Sequence, residues 1–267
     1  MTHKKLYLSN SSIQVFLDCQ LRFKNQYIDK LKVNKSPPNK YLSFGQSMHE
    51  TLAGYNMITS EKHRTLENLH NLLRRNWIRE GYDSIEEERS FGLKGLDMLT
   101  NYYHDPQDQG KKSLIIEEFI KKDINERFVL CGKLDKVYVK NDDKIEVLDY
   151  KTGQKIEPIN LIQLPIYLLL AKEKLGAYPH TVSFYYLAHN KKIVQEVTRD
   201  FLKESLKIIN SIYKQIHDEK DFAANPTLYC KNNCPYFESC SAANDRNNII
   251  LNTLIKNESV NKISRIF

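Results

Sequence analysis

Long apolar runs are missing from this chain. Nowhere do its 267 residues approach the ~18 consecutive apolar residues of a membrane span, which argues against an integral membrane protein. The opening, MTHKKLYLSNSS, has basic residues but no apolar segment of a secretory signal, so a cytoplasmic setting is expected. Cysteine is scarce: five in a chain of this length and setting point to thiols or metal ligands rather than a disulfide framework. Glycine is scarce too, with nine residues amid many Lys and Asn, a pattern of AT-rich coding that weakens any reading of the charge alone. Acids are outnumbered, 33 Asp+Glu against 40 Lys+Arg, for a net +7 and a pI near 8.9. That balance suits a polyanionic partner without proving one. Internal repeats, low-complexity tracts and a convincing linker are also absent.

What is present is enough to bury a core: 41% hydrophobic and 27% charged residues. Residues 9–32 open with helix-capping residues and then place Phe16, Cys19, Phe23 and Tyr27 on one helical face. NKSPPNK (34–40) reads as a loop, and 41–57, 61–80 and 85–104 read as helices. After a turn at 105–112 the period changes, and 113–120, 127–139 and 144–151 read as strands. Residues 157–175 predict an apolar helix with Pro158 near its start, Gly176 beyond its end, and Pro165 expected to kink or shorten it. A hairpin over 181–188 and 192–198 and an amphipathic helix over 201–219 follow. The order predicts one α/β domain over 1–267: a helical part (9–112), a core (113–220) whose sheet begins as an antiparallel meander, a cysteine segment (221–245) and a tail (246–267).

The stretch GKLDKVYVKNDDKIEVLDYKTG (132–153) places two acids and a lysine on apolar strands. Ile145, Val147, Asp149 and Lys151 share one face; Val129, Cys131, Val137 and Val139 share a face with Asp135. A three-residue loop, Asn141–Asp143, pairs Lys140 with Lys144 and sets Asp135 opposite Asp149. Two carboxylates would then lie ~5 Å apart at Cβ and repel by roughly 3 kcal/mol. A bound Mg²⁺ or Mn²⁺ would offset that repulsion. Lys151, ~6.6 Å along the strand, would hold or activate a water and steady a phosphate oxygen, the constellation that metal-assisted phosphodiester hydrolysis needs. The alternatives are a structural ion-pair cluster, which burial rarely rewards, and ordinary charges on an exposed hairpin, which the apolar neighbours of Asp149 argue against.

Gly132-x-x-Asp135, then Asp149-Tyr150-Lys151-Thr152-Gly153, then Gln163-x-x-x-Tyr167 resembles the RecB-type branch of the PD-(D/E)XK nucleases. His49 within FGQSMHETL and the opening S-x-S…Cys19-x-x-x-Phe23 match the same pattern, so the likeness runs from residue 9 to residue 240. The resemblance implies a restriction-endonuclease-like mixed sheet flanked by helices. It implies Asp135 and Asp149 as metal ligands with the backbone carbonyl of Tyr150, His49 as a further ligand or holder of a metal-bound water, and Lys151 as the catalytic lysine. Gln163 and Tyr167, one turn apart, would face the site and contact DNA or steady Lys151. An acid on the preceding strand is expected as well, with Glu117 and Glu118 competing for the place. Taken singly, His49 reads as an ordinary helix histidine and Gln163 and Tyr167 as a pair at the core's edge. Cys131 reads as a small buried residue.

YCKNNCPYFESC (229–240) gathers Cys230, Cys234 and Cys240, and Cys19 can supply a fourth thiol. The CRISPR-associated RecB-like exonucleases and AddB-type nuclease domains, which this pattern resembles, hold a [4Fe–4S] cluster on one N-terminal and three C-terminal cysteines. Here three residues, not two, separate the first C-terminal pair, which keeps Zn²⁺ in a Cys₄ site open. Such a clasp would close a loop of about 200 residues. The resemblance therefore implies a Mg²⁺/Mn²⁺-dependent DNA exonuclease, with the basic surplus and exposed aromatics guiding a single strand. The alternative is a DNA-end-binding subunit of a CRISPR adaptation or repair complex in which cleavage is secondary or needs a partner.

Overall fold

The computed structural model describes residues 5–33, 39–157 and 160–244. Pro158, most of the 34–40 loop and the tail therefore lie outside the described residues. Among those described, six strands form one mixed sheet: β1 (Leu6–Leu8), β2 (Lys112–Asp123), β3 (Phe128–Val139), β4 (Ile145–Lys151), β5 (Thr181–Tyr186) and β6 (Lys191–Glu196). The order is β1-β3-β4-β5-β6, with β2 also paired to β3. Strands β2, β3 and β4 form the expected antiparallel meander, β4 runs parallel to β5, and β5–β6 is the expected hairpin.

β3 organises the sheet. β2 pairs with it from Val129 to Val139 along one edge, so β1 and β4 must share the other. β1 lies parallel to residues 128–130, and β4 pairs with residues 136–139. The edge of β3 between these ladders is open, and Asp135 stands at the mouth of that fork. The expected register holds: Lys136 faces Leu148, Val139 faces Ile145, and Lys140 N–H donates to Lys144 O at 2.8 Å. Asp143 takes the left-handed conformation (φ 63°) at the end of the three-residue loop, as such a hairpin needs.

Helices cover both faces. The first helical run is broken: α1 (Asn10–Asp18), capped by a Ser9–Ser12 box, stops at an extended Cys19, then α2 (Gln20–Phe23) leads into a π-turn at Lys24–Ile28. α3 (Lys40–Asn56) is capped by Asn39, and α5 (Ile85–His104) by Ser84, close to their expected bounds. The run over 61–80 shortens to α4 (Leu66–Asn76), because Thr65 caps a new start and Trp77 turns extended. α6 (Gln163–Leu175) begins later than expected. Its late start puts Pro165 in the first turn, where no helical N–H is needed, so of the two expected effects of this proline it is the shortening that is observed. α7 (Arg199–Asp218) and the short α8 (Cys230–Asn233) complete the chain order.

Two cores result. α1, α6 and α7 pack on one face through Ile13, Phe16, Ile166, Leu170, Ile209 and Tyr213 against Val137, Val147, Val182 and Phe184. α3, α4 and α5 pack on the other through Met48, Leu52, Leu69, Leu73 and Leu99 against Tyr138, Leu148, Tyr150 and Tyr185. Each fully buried large apolar side chain contributes about 1.5–3 kcal/mol. The expected face of β3 is only partly observed: Leu130 and Leu134, rather than Val129 and Cys131, join Val137 in the first core. The change of phase coincides with Glu117 of β2, which takes φ 52° beside Asp135.

Candidate active site

The fork in the sheet explains how an aspartate comes to sit among apolar residues. The β3–β4 ladder ends at Leu148, and beyond it the Tyr150 N–H is taken by Asp135 Oδ2 at 2.8 Å instead of by β3 backbone. The same oxygen lies 3.2 Å from His49 Nδ1 on α3. Glu117 completes the group: ligand atoms of His49, Glu117 and Asp135 all lie within 4.8 Å of one another. Glu117 is brought there by its left-handed backbone, a conformation that costs on the order of 1–3 kcal/mol and tends to persist at functional sites. Lys133 Nζ holds its carboxylate at 2.5 Å. Glu118, the rival for this position, points to the exposed side and pairs with Lys174.

Asp149 sits beside this group and is tied to α6. One oxygen, Oδ1, accepts from Tyr167 Oη and from Gln163 Nε2, the latter at 3.1 Å. Gln163 Nε2 also reaches Tyr167 Oη at 2.5 Å, and Gln163 Oε1 accepts from Lys151 Nζ at 3.1 Å. Lys151 Nζ lies 2.6 Å from the other oxygen, Oδ2, in charge contact. That approach is off the hydrogen-bonding direction, and buried Oδ2 is left without a hydrogen bond. Lys151 is also 4.9 Å above the Phe184 ring. Two cations thus divide the two carboxylates, His49 on Asp135 and Lys151 on Asp149, which offsets the like-charge repulsion expected between them.

The electrostatics follow from burial. Burial opposes the charged form of His49, but Asp135, then Asp149 and Glu117, outweigh it and raise its pKa to about 9. Burial raises the Asp135 carboxyl; the His49 charge counteracts, and Asp149 and Glu117 push it further up. Burial and then the Asp149 charge hold the Tyr167 phenol well above its ordinary value, so it remains a donor.

Tyr150 serves both faces. Its phenol crosses to the α3 side, donating to Asp108 Oδ2 at 2.5 Å and accepting from Asn56 Nδ2 at 3.1 Å. Lys136 Nζ joins this buried network at 2.7 Å from both Asp108 Oδ2 and Asn56 Oδ1. Asn56 and His49 lie on the same helix, so the network braces α3 against β4. Sequence reading missed Asp108, Asn56 and Lys136. Only Lys136, a cation between apolar strand residues, left a signal.

Three of the cysteines, Cys19, Cys230 and Cys234, lie close enough to act on one another electrostatically. The Asn225 N–H reaches Cys19 Sγ at 3.5 Å, and the Thr227 N–H reaches Cys230 Sγ at 3.2 Å. Burial pushes the Cys234 thiol up; the Tyr236 backbone and Arg22 oppose it, and nearby Cys230 and Cys19 add to it. Cys240 follows a 3-10 turn, Phe237–Ser239, and Cys131 is buried apart in β3.

A model of the PD-(D/E)XK nuclease superfamily matches residues 7–241. The chain belongs to this superfamily. As a PD-(D/E)XK protein it carries the mixed sheet and flanking helices of the restriction-endonuclease-like fold, and such nucleases act on DNA with divalent metals. The donor set fits a hard cation: carboxylate oxygens and an imidazole converge, and the buried Asp149 carboxylate lies beside them. Among solved structures, the chain is similar to a protein described as an exonuclease candidate from Eubacterium rectale, at 12% identity over 90% of this chain and 88% of that one, with a TM-score of 0.48. It is also similar to SSO0001, at 10% identity over 91% and 89% of the two chains, with a TM-score of 0.38. No curated protein sequence matches the chain. Among the described residues, no helix is long and apolar enough to cross a membrane.

Proposed function

We propose that this PD-(D/E)XK protein is a Mg²⁺- or Mn²⁺-dependent deoxyribonuclease of the RecB-like branch that digests single strands from their ends. The observation that carries this reading is the convergence of His49, Glu117 and Asp135 within 4.8 Å, beside a buried Asp149 carboxylate whose Oδ2 is in charge contact with Lys151 at 2.6 Å. Asp135, Asp149 and Glu117, with His49 and the Tyr150 carbonyl, would hold the cation. When bound, the cation polarises the scissile phosphate and lowers the pKa of water. Lys151, reaching out from Asp149 toward solvent, orients the attacking water and donates to a non-bridging phosphate oxygen as charge develops there. Gln163 fixes the Lys151 amine through Oε1 and Asp149 through Nε2, so one side chain sets the spacing of both. Tyr167 holds Asp149 Oδ1, which leaves Oδ2 directed at the site.

The four cysteines would carry a [4Fe–4S] cluster, as in the CRISPR-associated RecB-like and AddB-type relatives of the sequence pattern. The mutual electrostatic influence of Cys234, Cys230 and Cys19 supports a shared site for these thiols.

The test uses single strands labelled at the 5′ or 3′ end. Wild type with Mn²⁺ should shorten them, the two labels reporting polarity. Lys151→Ala should still bind DNA but cut about 10²–10³-fold more slowly. Equal cutting by the variant would refute the role of Lys151. Anaerobically purified protein should absorb near ~400 nm if iron is bound; colourless protein with stoichiometric zinc would overturn the cluster.

A further inference from the structure

A groove of about 800 Å³ opens directly onto Lys151. Its walls are the first turns of α3, one face of α5 and the segment that leaves β4. Aromatic side chains line it in contact. Tyr41, 69% exposed, meets Phe91 edge to face at 5.9 Å, and Phe91 rests on Phe44 at 5.3 Å. A large ring that open to water at the rim of a site contributes little burial within the chain. Phe91, itself held by Phe44, abuts one edge of Tyr41 and leaves its ring face open to solvent.

The cations of the groove divide into two kinds. Lys40 is spent within the chain, 2.6 Å from Glu87 and 2.9 Å from Asp83, so it neutralises acids on that wall. Lys94 and Lys155 make no ion pair among the described residues; Lys94 lies 4.9 Å over the Phe91 ring. Opposed to these stands the carboxylate of Glu157. With Lys151 at its inner end, the groove offers an exposed ring, unpaired ammonium groups and a reactive terminus.

We infer that this groove takes a single nucleic-acid strand, with a base stacked on Tyr41 and phosphates on Lys94 and Lys155, and delivers the strand to Lys151. The inference deepens the nuclease reading and rests on it for the direction of travel. A duplex cannot use the ring, because its bases are already stacked on one another and expose only their edges. Base–aromatic stacking needs no particular base, which suits processive digestion.

The experiment measures binding of labelled dT₁₂, its duplex and rU₁₂ to full-length protein without divalent cation, and cleavage of dT₁₂ with Mn²⁺. Tyr41→Ala should weaken dT₁₂ binding by about 5- to 100-fold and Tyr41→Phe should not. Lys94→Ala with Lys155→Ala should lower the slope of log K against log salt by about 0.7 for each phosphate that is no longer neutralised. Equal binding of rU₁₂ assigns the groove to single strands whatever the sugar. Unchanged dT₁₂ binding by Tyr41→Ala, or tighter binding of duplex than of strand, would overturn the inference. Failure of the two readings looks different: wild type that cuts nothing yet loses strand binding with Tyr41→Ala removes the nuclease and keeps the groove. Normal cutting with Tyr41→Ala binding intact does the reverse.

Discussion

Asp108 shows how a residue remote from the chemistry can fix it. Its Oδ2 accepts from Lys136 at 2.7 Å, Tyr102 at 3.1 Å and Tyr150 at 2.5 Å, all buried. Burial alone lowers the Lys136 pKa, and the Asp108 charge restores part of it. Asp108→Ala should therefore cost about 3–5 kcal/mol in urea unfolding, since it strands a buried ammonium. Asp108→Leu combined with Lys136→Met should cost less than Asp108→Ala. A single-variant loss under about 0.5 kcal/mol would show that the pair is solvated. None of this was legible in the sequence, where Asp108 sits in a polar turn, DPQDQGKK, that reads as surface. Strand alternation and a three-residue hairpin loop made Asp135, Asp149 and Lys151 legible, whereas His49, Gln163 and Tyr167 were expected at the site only from the resemblance to the RecB-type pattern. Glu117 and Glu118 could not be separated, because alternation fails where a strand residue turns left-handed.

At the scale of elements, the seat of α6 depends on Gly132. A Cβ there would stand 3.0 Å from Leu170 Cδ1, tighter than side chains tolerate without movement. The glycine of the G-x-x-D pattern thus lets the helix bearing Gln163 and Tyr167 approach β3 closely. Gly132→Val should cost about 1–3 kcal/mol by overpacking, read as a lower Tm, and should slow cleavage by shifting Gln163 away from Lys151. Leu170→Ala in the same chain should recover part of both; a Gly132→Val protein with unchanged Tm would contradict the close approach. The helices with clear caps and apolar periods, α3 and α5, were legible almost to the residue. β1 was not: three residues are too few to show alternation, and only the open edge of β3 makes them a strand. The break at Cys19 was hidden because Phe16 and Phe23 keep helical spacing across it.

For the molecule as a whole, the candidate site sets a stability profile against pH. His49 titrates near 6.5 when unfolded and at about 9 when folded, because the surrounding carboxylates outweigh its burial. A raised cationic pKa stabilises the fold fully below about 6.5, and the gain is lost as pH climbs through about 9. With divalent cation withheld, Tm should fall across that window, by an amount on the order of 3 kcal/mol at most. His49→Gln should flatten the profile; an unchanged slope in that variant would remove His49 from the account. Segments more than 190 residues apart in sequence are also bolted together: the Leu21 N–H donates to Ala223 O, Asn225 Nδ2 to Asp18 O, and Tyr236 Oη to Leu31 O. During synthesis residues 18–31 must therefore wait for these partners until the chain has passed residue 236, although β1 can pair with β3 about a hundred residues earlier.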